Sequence, residues 1–111
     1  MSVLGRRLKQ ARQNAGLSQE QLGIQSDLDP MSASTRMNRY ELGIRVPGFE
    51  LVERFAAVLN VPATYFYAAK DDEAELVLGF HSLSAAKRVE CVQFVKDLET
   101  KPGSARSVLG R

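Results

Sequence analysis

The sequence predicts an all-α protein built from short helices. Apolar residues recur at intervals of three and four along most of the chain, which is the spacing of an amphipathic helix. No segment alternates apolar and polar residues as a half-buried strand does. The 111 residues, of which 44% are hydrophobic, are enough for one globular domain with an appended segment.

Two helices are predicted first. The apolar row of the first consists of Leu4, Leu8, Ala11 and Ala15. Gly16 suits the left-handed conformation that often ends a helix. Ser18 and Gln21 form a capping-box pattern, which predicts a short second helix with Leu22 inward. Gly23 within it costs about 1 kcal/mol relative to alanine, so we expect a close contact there.

The third helix is predicted to run from near Pro30 to Leu42. Asp29 is a favourable N-cap and proline suits the first helical position. Gly43 ends the helix. The inner face is predicted to consist of Ala33, Met37 and Tyr40.

Four further helices are predicted after a loop at 44–48. The fourth contains Phe49, Val52, Phe55, Ala56 and Leu59 and ends at Asn60, and a short fifth spans 62–67. An acidic break at 71–73 precedes a sixth helix, which contains Leu76, Val77 and Phe80. Ser84 caps a seventh that runs to about Thr100, with an apolar arc of Cys91, Phe94, Val95 and Leu98 flanked by Val92.

The predicted domain organisation has three parts. Residues 1–68 form the first domain, 69–102 a helical extension, and 103–111 a flexible tail. Positive charge is concentrated in the first part. Residues 1–45 carry seven Lys or Arg and four Asp or Glu, whereas the whole chain has a net charge of only +2. The position of the charge therefore points to an anionic partner better than its total does.

Two motifs resemble the Xre/Cro-type helix-turn-helix of the lambda-repressor-like fold. They are Leu-Ser-Gln-Glu-Gln-Leu at 17–22 and Arg-Tyr-Glu-Leu-Gly at 39–43, and the segment from Pro47 to Phe66 is similar as well. The resemblance covers roughly residues 3–67. It implies five helices around one core, with the second and third forming the motif and the third entering the major groove. It also implies a bacterial or phage DNA-binding regulator of transcription, expected to be a repressor.

The chain departs from that family in the spacing of the two motifs, which is about four residues longer here. The apparent insertion spans 27–30. It either lengthens the turn or adds a helical turn at the front of the third helix. The Asp29-Pro30 cap signal favours the second interpretation.

A helix in the major groove presents its outward side chains to base edges. The residues predicted to read bases are Ser32, Ser34, Thr35, Asn38 and Arg39. Arg39 can donate two hydrogen bonds to guanine, and Asn38 suits adenine. The plainer alternative for these residues is a solvated helix face.

Phosphate contacts are expected beside this helix. The predicted residues are Gln19, Arg36, Arg45, Arg6 and Arg7. For Arg6 and Arg7 an exposed, charged first helix is an equally good explanation. The resemblance implies that Gln19 clamps the DNA backbone, and that Arg12 and Glu41 form an internal salt bridge.

No catalytic, metal or cofactor site is predicted. The single His81 and the single Cys91 are ten residues apart, which is not a helical neighbour spacing. The pattern Ser84-Ala85-Ala86-Lys87 occurs in some acyl-transfer enzymes, but here the serine is better explained as a helix cap. No apolar run reaches transmembrane length and the N-terminus lacks a secretory pattern. We therefore expect a cytoplasmic protein that is not an enzyme, located on the nucleoid when bound to DNA.

The expected partners are a double-stranded DNA operator and a second copy of the chain. The C-terminal helices either cover the base of the first five or form a dimer interface, and we favour the interface because two half-sites increase specificity. A different class of function remains as the alternative. In it, the same fold binds a protein partner, as an antitoxin or adaptor would.

Overall fold

The computed structural model describes residues 2–100, and all the regular secondary structure in this part of the chain is helical. Its elements are α1 (Val3–Asn14), α2 (Gln19–Gln25), α3 (Ala33–Leu42), α4 (Phe49–Leu59), a 3₁₀ helix (Ala63–Tyr67), α5 (Asp71–His81) and α6 (Ala85–Glu99). The predicted all-α fold class is confirmed. The chain divides into two compact units, the first ending at His81 and the second beginning at Ser82.

The helix ends follow the local signals in the sequence. The Ser18 hydroxyl accepts a hydrogen bond from the Gln21 backbone N–H at 3.0 Å, and the Gln21 side chain accepts one from the Ser18 N–H at 2.8 Å. Gly43 ends α3 with φ of 79°, a left-handed conformation that glycine adopts at little cost. Asn60 ends α4 in the same region with φ of 54°.

The start of α3 differs from the prediction. The α-helix begins at Ala33, not near Pro30. The Asp29 carboxylate accepts from the Met31 N–H at 3.0 Å, and the Asp29 carbonyl accepts from the Ser32 N–H at 3.0 Å. These bonds close a tight turn ahead of the helix. The additional residues therefore lengthen the turn between α2 and α3, and the prediction of an extra α-helical turn was wrong.

One hydrophobic core holds the first unit together. Its fully buried side chains include Leu8, Leu22, Met37, Val52, Phe55 and Phe66. The backbones of α2 and α3 approach closely at Gly23, where a Cβ atom would lie 2.8 Å from the Ala33 Cβ. This is the close contact that the glycine in α2 led us to expect.

The first unit extends further along the chain than the predicted domain of 1–68. Ala74 of α5 is buried, and Val77 and Leu78 pack against the core. The helix predicted over 62–67 forms as a 3₁₀ helix. In the second unit, α6 contains no buried residue. The tail predicted at 103–111 lies outside the described residues.

Candidate nucleic-acid interface

The outward face of α3 carries most of the residues predicted to read bases. Ser34, Thr35, Asn38 and Arg39 are exposed, whereas Ser32 at the N-cap is half-buried. Ser34 and Asn38 are four residues apart, as are Thr35 and Arg39, so they lie on neighbouring rows of one helix face. No hydrogen bond or ion pair links the Arg39 side chain to any other residue between 2 and 100. Its guanidinium is therefore available to a ligand.

The opposite face of α3 fixes the helix to the core. Ala33, Met37 and Tyr40 are buried there, as predicted from their spacing. The Tyr40 ring meets the Phe55 ring edge-on, with the ring centres 6.2 Å apart. This packing sets the rotation of α3 about its axis, and hence which side chains face outward.

A basic cleft lies at the C-terminal end of α3. It has a volume of about 270 Å³ and is lined by Arg36, Arg39, Tyr40 and Arg45. The Arg36 guanidinium donates to the Tyr40 hydroxyl at 2.9 Å, which holds it against the helix. The sequence predicted DNA contacts for all three arginines, but it placed Tyr40 only on the inner face of α3. Its spacing of four from Arg36 was the available signal that its hydroxyl would help to form the cleft.

Arg12 of α1 and Glu41 of α3 form a two-pronged ion pair. The Arg12 Nε lies 2.6 Å from Glu41 Oε2, and its Nη2 lies 3.0 Å from Glu41 Oε1. Arg12 also donates to the Leu17 carbonyl at 2.9 Å. The side chain of Glu41 is only 2% exposed. This buried pair therefore ties α3 to α1 and to the segment that precedes α2.

The side chain of Gln19, the first residue of α2, makes contacts with α3 that the sequence did not predict. Its amide nitrogen donates to Glu41 Oε1 at 3.0 Å and to Asn38 Oδ1 at 3.2 Å. Both amide hydrogens of Gln19 are thereby used in hydrogen bonds to other residues of the protein, although the side chain was expected to bind a phosphate. The sequence did not predict this contact because, with a longer turn between α2 and α3, sequence spacing does not determine which α3 residue lies beside Gln19.

The two arginines of α1 lie in different environments. Arg7 is buried, and it donates to the Ala68 carbonyl at 2.9 Å and to the Asp71 carboxylate at 3.1 Å. Its predicted role as a phosphate contact is corrected to a structural one, because it joins α1 to the 3₁₀ helix and α5. Arg6 is about half exposed, 3.8 Å from the same carboxylate.

Among residues 2–100, no helix is long and apolar enough to cross a membrane. The same residues contain no group of His, Cys, Asp or Glu side chains arranged to hold a metal ion.

The fold and this helix pair define a helix-turn-helix protein. Residues 3–64, more than half of the chain, match the family model described as a helix-turn-helix domain, and the chain belongs to that family. The chain is also similar to a solved structure, the crystal structure of transcriptional regulator BswR. The two are 43% identical with a TM-score of 0.77, and the match covers 84% of this chain and 92% of the other. No curated protein matches the chain.

Proposed function

We propose that the protein is a sequence-specific, double-stranded DNA-binding regulator of transcription of the Xre/Cro type, which reads the major groove with α3. The observation that carries this proposal is the exposed face of α3, where Ser34, Thr35, Asn38 and Arg39 stand above a packed inner face. Membership of the helix-turn-helix family and similarity to a transcriptional regulator support it.

Each part of this surface has a chemical role in the proposal. Arg39 donates to guanine O6 and N7, a pairing that distinguishes bases by roughly 1–3 kcal/mol. Arg36 and Arg45 contact phosphates from the basic cleft, because their guanidinium groups match phosphate oxygens in geometry and charge. Ser34 and Thr35 are short enough to pack on a thymine methyl or to donate to a phosphate.

The proposed functional form is a dimer through the C-terminal helices. The exposed apolar side chains of α6 include Val92, Phe94, Val95 and Leu98. A helix of fifteen residues is only marginally stable by itself in water, and burying these side chains in an interface would stabilise it.

The charges of α6 favour a second copy of the chain as that partner. Lys87, Arg88 and Glu90 give the first part of α6 a net charge of +1, whereas Lys96, Asp97 and Glu99 give its last part a net charge of −1. This is the reverse of the net charges that the helix dipole favours. An antiparallel copy would place the net positive start of each helix beside the net negative end of the other. A dimer would also provide two copies of α3, and dimeric helix-turn-helix proteins bind half-sites about one turn of DNA, or a multiple of it, apart.

We propose repression as the regulatory outcome, because a dimer bound across a promoter excludes polymerase by occupancy alone.

The DNA-binding proposal is tested by selection of bound sequences from a random double-stranded pool. We expect one enriched motif with two-fold symmetry, and an affinity that falls as salt rises, since phosphate contacts release counterions. Failure to enrich any sequence, with no salt-dependent binding, would contradict the proposal and favour a protein-binding role.

A further inference from the structure

Four side chains form a continuous hydrogen-bonded chain from α1 to the outward face of α3. Arg12 binds both oxygens of Glu41, Gln19 donates to Glu41 Oε1 at 3.0 Å, and Gln19 also donates to Asn38 Oδ1 at 3.2 Å. This series of hydrogen bonds runs from Arg12 through the Glu41 carboxylate, which is only 2% exposed, and ends at the exposed amide of Asn38.

Glu41 determines the direction of every bond in this chain. A carboxylate paired with an arginine only accepts hydrogen bonds, so Gln19 must turn its amide nitrogen towards it. The same nitrogen faces Asn38, which must therefore present its oxygen. The Asn38 Nδ2 group, with two hydrogens to donate, is left for a ligand on the outside of the helix.

We infer that Gln19 is a positioning residue, which orients Asn38 so that it offers an N–H donor to DNA. This inference rests on the proposed function and names what one position of α3 recognises. An oriented donor selects a base pair that presents an acceptor at that point of the major groove, such as a purine N7, guanine O6 or thymine O4. The buried Arg12–Glu41 pair thus contributes to specificity although neither residue touches DNA.

The role of Gln19 as a phosphate clamp makes a different prediction. A residue that only holds phosphate weakens binding to all sequences alike when it is removed. A residue that orients a base-reading side chain changes the preference at the base pair that this side chain reads, and leaves the other positions as they were.

The experiment measures affinity for the selected operator and for every single-base-pair variant of it. In Gln19→Ala we expect the preference at one base pair of each half-site to fall by about tenfold, the scale of one base-specific contact. Gln25→Ala, at the exposed end of the same helix, is the matched control and should leave the whole profile unchanged. Thermal melting of each variant verifies that it is folded.

Asn38→Asp provides a second and independent variant. It keeps an oxygen for Gln19 but replaces the outward donor with an acceptor. We expect the preference at the same base pair to move towards a base that presents an N–H donor, such as cytosine or adenine.

Two results would overturn the inference while leaving the proposed function intact. One is a Gln19→Ala profile that is unchanged or uniformly weakened, and the other is an Asn38→Asp profile with no altered base preference. If the wild-type protein selects no sequence at all, the proposed function fails and this inference fails with it.

Discussion

The helices α3 and α6 expose opposite kinds of surface. In α3 the apolar residues Ala33 and Met37 and the Tyr40 ring face the core, only Leu42 at the end is an exposed apolar residue, and the rest of the exposed face holds hydroxyl, amide and guanidinium groups. In α6 no residue is buried, and the exposed side chains include several large apolar ones. Both helices begin after a serine N-cap residue, so the difference lies in which side chains each helix leaves exposed.

This difference supports the two roles that we propose, DNA binding for α3 and dimerisation for α6. A polar and basic face suits a polyanion, since its groups exchange water for phosphate oxygens and base edges. An exposed apolar arc suits another protein, because its burial is favourable by about 25 cal/mol per Å². Substitutions in either helix, and in the contacts that hold α3, should separate the two roles.

Removing Glu41 should break the attachment of α3. Glu41→Ala leaves Arg12 with a poorly compensated charge in a largely buried site, which costs about 3–5 kcal/mol of folding stability. Urea denaturation would measure the loss. Glu53→Ala, which removes an exposed carboxylate from α4, should cost little. An unchanged midpoint for Glu41→Ala would show that the pair does not hold α3.

A charge on the apolar arc of α6 should prevent association. Val95→Glu removes apolar burial worth about 2 kcal/mol per copy. Both copies of a two-fold dimer carry the substitution, so the interface loses this contribution twice. We expect a monomer by light scattering at concentrations where the wild type is dimeric. Ala86→Glu adds the same charge to another side of α6 and should leave the dimer intact. A wild-type protein that is monomeric at all concentrations would refute the proposed interface.

Removing Arg39 should affect DNA recognition alone. Arg39→Ala should weaken binding to the selected operator by roughly 5- to 150-fold, the equivalent of a lost two-pronged base contact. Its melting temperature should match the wild type, because no other described side chain depends on Arg39. Fluorescence anisotropy with Lys9→Ala as the charge control separates base reading from loss of positive charge. Equal losses in the two variants would argue against base reading.

The smallest effect concerns the close approach of α2 and α3. Gly23→Ala improves helix propensity by about 1 kcal/mol but places a methyl group 2.8 Å from the Ala33 Cβ. Overpacking of this kind costs about 1–3 kcal/mol, so we expect a net loss of about 1 kcal/mol. Gly79→Ala in α5 has open space around the new methyl group and should stabilise the protein instead. Thermal melting of both variants would distinguish a contact effect from a propensity effect, and a stabilised Gly23→Ala would contradict the close packing.

The sequence predicted those features that depend on local chemistry. The Ser18 capping box, the glycine at the end of α3 and the inward row of Ala33, Met37 and Tyr40 all appear where their residue types require them. The start of α3 was mispredicted because Asp29 and Pro30 favour a tight turn as well as a helix start, and spacing alone does not distinguish the two.

Long-range contacts were the part that the sequence could not predict. Arg7 follows Arg6 on a basic stretch of α1, yet it is buried against the Ala68 carbonyl and Asp71, more than sixty residues away in the chain. The contact between Gln19 and Asn38 likewise depends on how α2 and α3 are packed across a lengthened turn. Residue type shows that such side chains can donate, but only the packing shows to which acceptor.

Methylation interference tests most directly whether α3 reads bases from the major groove. Dimethyl sulfate modifies guanine N7 in the major groove and adenine N3 in the minor groove of the selected operator. We expect guanine N7 methylation to block binding at matching positions of the two half-sites, and Arg39→Ala to lose this interference at one guanine in each. Interference confined to adenine N3, or a pattern unchanged by Arg39→Ala, would contradict base reading by α3.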